Sequence, residues 1–208
     1  INLYMKVGII GSGGREHAIC EILNKSNKVN KLYCFPGNAG TAKIAQNVDI
    51  NLDNFKKIKN FILNEKIDLI VVGPEKPLVN GITDYLEKFK IKVFGPNKFA
   101  AKLEGSKAFM KKLCESNRIP TAKFKICNNK TQVSNFIRKS NLPIVVKADG
   151  LAAGKGVTIC KTKAQVLKIS EEIFKGKFKS SKKLVLEEYL DGEEASYFLI
   201  VDKNNFRS

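Results

Sequence analysis

A chain of 208 residues, 43% of them hydrophobic, can bury one large α/β domain or two small ones, and no apolar run approaches the roughly 20 residues of a membrane span. The first residues, INLYMKVGII, have neither a charged leader region nor a cleavage site, so a cytoplasmic protein with no membrane partner is expected. The net charge of +17 raises nucleic-acid binding, but nearly all of it is lysine, with arginine only at Arg15, Arg118, Arg138 and Arg207. Abundant Asn, Ile and Phe accompany it, as AT-rich coding produces, so a solvated lysine surface and no nucleic-acid partner are expected.

Val7 to Gly11 predicts a short apolar strand, Gly11-Ser12-Gly13-Gly14 a tight loop, and Arg15 to Asn24 a helix with Ala18, Ile19 and Ile22 on one side. This is the opening of a βαβ unit. Further strands are expected at Lys31 to Phe35, around Val48 to Ile50, at Ile67 to Gly73 and at Ile91 to Gly95, with helices at about 53–65 and 78–89. Such alternation of apolar strands and helices implies a parallel sheet covered on both faces, which binds ligands outside the carboxyl ends of its strands. From Asn97 the pattern changes to two helical stretches, NKFAAKLEG and SKAFMKKLCESN, the second with Ser106 as N-cap. A strand (Ala122 to Cys127), a helix (about 131–139), a glycine-rich hairpin, a helix (about 163–175) and strands at Leu184 to Tyr189 and Ala195 to Val201 follow. Another strand is expected to begin near Asn204, so the ending reads as a cut. Cys20, Cys34, Cys114, Cys127 and Cys160 are odd in number and contain no C-x-x-C, which fits free buried thiols better than bridges or a zinc site. The single histidine, His17, argues against a histidine-rich metal site.

The stretch IVVKADGLAAGKGVTIC, residues 144–160, has a lysine in a glycine-rich loop but is not a Walker A motif. Only three residues separate Gly150 from Gly154, Gly156 stands where Ser or Thr should hold magnesium, and the β-branched run after it continues as a strand. The loop from Gly150 to Gly156, Lys155 included, is therefore a flexible turn between two strands. Lys147 closes the apolar strand before it and can reach a phosphate from a rigid element, and Lys107 follows a helix N-cap. The strand Leu184 to Leu190, Glu187 included, runs into a linker whose backbone can read an adenine edge, and Glu194 can take ribose hydroxyls. By itself EEYLDGEE is more often just an acidic surface turn.

In the first half, Gly11 to Gly14 lets backbone amides approach an anion, or forms a turn that binds nothing. A dinucleotide fits worse. The third glycine position of that fingerprint holds Glu16, and the second strand ends in Cys34-Phe35-Pro36-Gly37 with no acid for a ribose. Two more loops converge there, Pro36 to Gly40 and Gly73 to Pro77. Glu75 is either a solvated carboxylate or a ligand for a sugar hydroxyl.

The order of lysine at a helix start, lysine strand, glycine hairpin and strand into an acidic hinge resembles the ATP-grasp fold. MKVGIIGSGGREHA, FPGNAGTA, IDLIVVGPEKPLVNGI, FGPNKFAAKLEGSKAFMK, PIVVKADGLAAGKGV and LEEYLDGEEAS together resemble the glycinamide ribonucleotide synthetases, also called phosphoribosylamine-glycine ligases, from Met5 onward. The resemblance implies a Rossmann-like substrate domain at 5–102 and a partial ATP-grasp domain at 103–208, with a lid at about 122–190. It also implies ligation of glycine to 5-phosphoribosylamine with ATP in purine biosynthesis, through glycyl phosphate. Carried over by residue, Lys107 and Lys147 bind ATP phosphates, Gly150, Gly154, Lys155 and Gly156 close over them, Glu187 and Leu190 frame adenine and Glu194 binds ribose. Gly13, Gly14, Arg15, Asn38 and Glu75 line the phosphoribosylamine side. No catalytic residue and no metal ligand is assigned. The family continues for about as many residues again, and that half is implied to hold the magnesium ligands and most of the glycine pocket, so this chain alone is expected to be inactive. A non-catalytic nucleotide-binding module and an NAD-dependent oxidoreductase remain as alternatives.

Overall fold

The computed structural model describes residues 4–152, 154–178, 182–202 and 205–208. In chain order the elements are β1 (Met5–Gly11), α1 (Gly14–Asn24), β2 (Val29–Pro36), β3 (Gln46–Asn47), α2 (Phe55–Glu65), β4 (Leu69–Val72), α3 (Glu75–Asn80), α4 (Ile82–Glu87), β5 (Val93–Phe94) and α5 (Lys102–Gly105). They continue as α6 (Lys107–Ser116), β6 (Phe124–Cys127), α7 (Lys130–Arg138), β7 (Ile144–Ala148), β8 (Val157–Cys160), α8 (Lys163–Phe174), β9 (Leu184–Glu188), β10 (Ile200–Asp202) and β11 (Asn205–Arg207). Among the described residues no helix is long and apolar enough to cross a membrane.

The first five strands form one parallel sheet in the order β3-β2-β1-β4-β5. Its strands read as apolar runs because both faces are covered. Successive side chains alternate between faces: Ile10, Tyr33, Phe35 and Ile70 join Ile58 and Ile62 of α2 and Ile82 and Leu86 of α4. Val7, Ile9, Leu32 and Cys34 join Cys20 of α1 on the other face. Each such side chain contributes about 1.5 to 3 kcal/mol by leaving water. Helix α2 starts where Asn54 Oδ1 accepts the Lys57 N–H at 3.0 Å and stops where Lys66 turns left-handed, at φ 55°.

The second sheet is antiparallel, in the order β6-β9-β7-β8. Helices α7 and α8 cover one face, burying Val133, Ile137, Val166 and Ile173 against Ile144, Val146, Leu184 and Leu186. Side chains of Asn129 and Thr162 cap these helices by accepting the Gln132 and Gln165 N–H groups. The glycine segment joins β7 to β8 as a hairpin, with Lys147 opposite Val157 and the Ala148 N–H donating to the Gly156 carbonyl at 2.7 Å.

The α/β class, the parallel sheet and the glycine hairpin agree with the sequence. Four details differ. The strand expected around Val48 to Ile50 is the two-residue β3, because Gln46 and Asn47 pair in register with Tyr33 and Cys34 and the ladder ends at one further bond, from the Val48 N–H to the Cys34 carbonyl. The helix expected at 78–89 is two helices broken at Gly81, whose φ of 93° suits glycine. Helix α1 turns Glu16 and Cys20 inward and leaves Ile22 67% exposed, so its buried stripe is rotated from the one expected. Of the strand expected at Ala195 to Val201, only the end pairs, as β10 with β11.

All five cysteines are free, and all but Cys114 are buried. Burial pushes the Cys127 thiol up to about 11 and raises that of Cys160. Iodoacetamide in mildly alkaline solution is therefore expected to label Cys114 first and Cys20, Cys34, Cys127 and Cys160 only after unfolding. Peptide mass spectrometry with and without urea checks this order; early labelling of Cys127 would contradict the packing.

Candidate functional site

Three loops meet at the carboxyl ends of β1, β2 and β4, and a carboxylate packs between the first and the third. Glu16, 5% exposed, turns back from the first turn of α1 to accept the Gly13 N–H at 2.6 Å. A Cβ at Gly11 or Gly73 would collide with the Glu16 side chain, and one at Gly13 would lie 3.0 Å from its Oε2. These glycines make room for the acid. Gly11 also has φ 134°, which side chains rarely adopt. Glu16 thus occupies the position where a dinucleotide loop needs a small residue, and it takes an amide that the sequence suggested for an anion.

Asn38 joins the first two loops. Its Nδ2 donates to the Ser12 carbonyl at 2.9 Å and the Gly13 carbonyl at 3.3 Å, and its Oδ1 accepts the Gly40 and Thr41 N–H groups. Every polar atom of the side chain is engaged with backbone. Arg15 joins the first loop to the third, donating through Nη1 to the Gly73 carbonyl and to Glu75 Oε1, each at 2.9 Å. Burial tends to raise the Glu75 carboxyl, but its own helix-start N–H and the Arg15 guanidinium outweigh this and bring it below the usual carboxylate range.

Across from these loops, Asp149 ties the end of β7 to the start of α6. Its Oδ1 accepts the Ala108 N–H at 3.1 Å and the Ser106 hydroxyl at 3.1 Å, while Ser106 caps the helix by accepting the Phe109 N–H. This sets Lys107 beside the glycine hairpin, where its Nζ donates to the Gly150 carbonyl at 2.9 Å. Arg15 and Glu75 on one side, and Lys107, Gly150, Gly154 and Gly156 on the other, line a single cleft of about 1120 Å³. Positive φ at Gly150 (84°) and Gly154 (76°) gives the hairpin its turn, and a Cβ at Gly156 would lie 2.6 Å from that of Ala152. Lys155 lies exposed in the same turn.

Lys147 Nζ lies 3.0 Å from Glu187 Oε2, and Glu187 Oε1 is buried without a partner among the described residues. Leu190 and Glu194 follow β9 in the exposed segment and do not line the cleft. Neither do Lys147, Lys155 and Glu187, nor Gly13, Gly14 and Asn38, the last three of which stand at the loop cluster beside it. Three residues that organise the site were not singled out for that role by the sequence: Glu16, Asp149 and Lys111, which also pairs with Glu187. Glu16 left a trace as an acid at a position that should be small. Asp149 closes a strand just before a glycine, whereas Lys111 is one lysine among many.

A parallel α/β sheet facing an antiparallel sheet across a cleft, with lysines and a glycine hairpin on the far side, defines an α/β protein of the ATP-grasp class. Two adjoining family models cover the chain: the phosphoribosylglycinamide synthetase N domain at residues 5–104 and the ATP-grasp (A) domain of the same synthetase at 105–208. The chain belongs to the phosphoribosylglycinamide synthetase family. It is 48% identical over 199 residues to a phosphoribosylamine-glycine ligase of Brucella melitensis, covering 95% of this chain and 47% of that one. The crystal structure of phosphoribosylamine-glycine ligase from Thermotoga maritima superposes with a TM-score of 0.79 at 32% identity, over 97% of this chain and 48% of that one. The biotin carboxylase domain of a 2-oxoglutarate carboxylase from Hydrogenobacter thermophilus, solved with MgADP, shares the fold at TM-score 0.73 and 20% identity, over 92% of this chain and 45% of that one. The chain spans about half the length of the curated relatives it matches.

The glycines around Glu16 supply a stability test. Gly73→Ala is expected to cost about 1 to 3 kcal/mol, as overpacking does. Adding Glu16→Ala should make the pair at least about 0.5 kcal/mol less destabilised than the sum of the single changes, because the colliding group is gone. Urea midpoints of the four proteins measure this coupling, and simple additivity would remove Glu16 from its place under the loops.

Proposed function

We propose that this chain supplies the phosphoribosylamine side and the nucleotide lid of a cytoplasmic, ATP-dependent ligase. That ligase joins glycine to 5-phosphoribosylamine, giving glycinamide ribonucleotide, ADP and phosphate in purine biosynthesis. The observation that carries this is the single cleft in which Arg15 and Glu75 face Lys107 and the glycine hairpin. In this reading residues 5–102 form the substrate domain, 103–208 belong to the ATP-grasp domain, and 122–190 are the lid. Its partners are small molecules, with no nucleic acid or membrane among them.

The residues present fit a nucleotide. Lys107 and Lys147 neutralise phosphate charge, which is the main demand of phosphoryl transfer. Gly150, Gly154, Lys155 and Gly156 cover the phosphates and exclude water. Among the described residues Glu187 Oε1 lacks a donor, which the exocyclic amine of adenine provides, while Leu190 and Glu194 complete the adenine and ribose contacts. Gly14 and Arg15 offer donors to the phosphoribosyl group. Asn38 and Glu16 keep Gly13 and its loop in shape, and Glu75 orients Arg15. Phosphorylation makes the glycine carboxyl reactive, and the ribosylamine nitrogen then displaces phosphate from the acyl carbon. Magnesium, when bound, adds charge neutralisation, and its ligands are proposed to come from the part of the family's length outside these residues. The dinucleotide alternative is disfavoured by Glu16, whose carboxylate already takes the Gly13 amide.

The deciding experiment measures ADP release dependent on both glycine and phosphoribosylamine by the longest natural reading frame that contains this chain. ATP binding without turnover there would favour a non-catalytic module. In the same protein, Lys147→Ala is expected to weaken ATP binding by about 1.5 to 3 kcal/mol, the size of a hydrogen bond to a charged group. Arg15→Ala should raise the KM for phosphoribosylamine and leave that for ATP nearly unchanged. Its pair with Glu75 is largely exposed, so the melting temperature should hardly move. Calorimetry and steady-state kinetics separate these outcomes; equal losses for both substrates would count against the assignment of Arg15.

A further inference from the structure

Lys111 lies one helical turn beyond Lys107 on α6, yet its side chain is only 3% exposed. Its Nζ is 2.9 Å from Glu187 Oε2 and 2.6 Å from Thr121 Oγ1, and it stands 5.6 Å from the centre of the Phe124 ring. The same Glu187 oxygen receives Lys147 at 3.0 Å. Lys147 is the outer of the two lysines, at 27% exposure. Two cations therefore share one oxygen of one carboxylate, and the cluster keeps a net positive charge on the side that carries Lys147.

Breaking a buried ion pair by removing one partner is costly because a buried charge is left alone. If Lys147 were the sole cation beside Glu187, turning toward a phosphate would strand that carboxylate. We infer that Lys111 is a positioning residue of the nucleotide site: it is the fixed counter-ion of Glu187, which makes Lys147 exchangeable and free to meet an incoming phosphate. This rests on the nucleotide reading of Lys147 given above. Lys111 itself touches no ligand.

The test is calorimetric titration with ATP and magnesium on the longest natural reading frame and on its K111M, K111R, E187Q and E187Q/K111M variants, at a temperature where melting curves show them folded. K111M should bind ATP about tenfold more weakly, equivalent to about 1.4 kcal/mol, and K111R within about threefold of the unsubstituted protein. Adding K111M to E187Q should cost no further affinity, because no carboxylate charge is left to hold. The double variant removes both charges at similar volume, so if K111M alone does not fold, a folded double variant that binds ATP as E187Q does shows that the Lys111 charge is needed only to hold Glu187, and one that binds more weakly than E187Q overturns the inference. Unchanged affinity in folded K111M, or an equal loss from K111M in both backgrounds, would overturn the inference. Absence of ATP binding by the unsubstituted protein overturns the nucleotide reading as well, whereas intact binding that ignores K111M overturns only the role of Lys111.

Discussion

A carboxylate taken out of water must find donors in the protein, and the candidate site is arranged around three that have done so. Glu16, Asp149 and Glu187 are each less than a tenth exposed. Glu16 is gripped by the loops of the first sheet and bonded to the Gly13 amide. Asp149 joins the strand end of the second sheet to the start of α6. Glu187 gathers lysines from α6 and β7. Each acid fixes elements distant in sequence.

The lysine-rich composition acquires meaning only through this arrangement. Most lysines are solvated, and their number says little. Lys107, Lys111 and Lys147 differ because buried acids and backbone carbonyls dictate where their ammonium groups lie. Lys107 is held through the Asp149 clamp on its helix, and Lys147 through a rigid strand flanked by β8 and β9. A surface lysine spends its entropy in water; these have already lost much of it before any ligand arrives.

Much of this was legible in the chain. Apolar strands alternating with amphipathic helices specify a doubly covered parallel sheet, and a lysine strand followed by glycines and β-branched residues specifies the hairpin. Local patterns failed where partners are distant. The run from Ala195 to Val201 has strand composition, yet pairing requires a neighbour and only β11 supplies one among the described residues. Two-residue β3 was misplaced for the same reason. Lys111 could not be distinguished from Lys112 beside it, because burial of one depends on Glu187, some 76 positions away. In the sequence Glu16 stands only as an obstacle to one ligand, whereas its packing against Gly11, Gly13 and Gly73 is a property of the fold.

The strand order of the second sheet also sets a timetable for a chain emerging from the ribosome. The parallel sheet has all its strands once Phe94 has been made. The antiparallel sheet must wait, because β9 inserts between β6 and β7, and residue 188 follows residue 148 by roughly 2 to 8 s at ordinary synthesis rates. Until then β7 and β8 can pair only with each other, and β6 has no neighbour in its sheet. The acid Glu187 is therefore synthesised after both of its bases, so closing the sheet and neutralising the buried lysine occur in the same event.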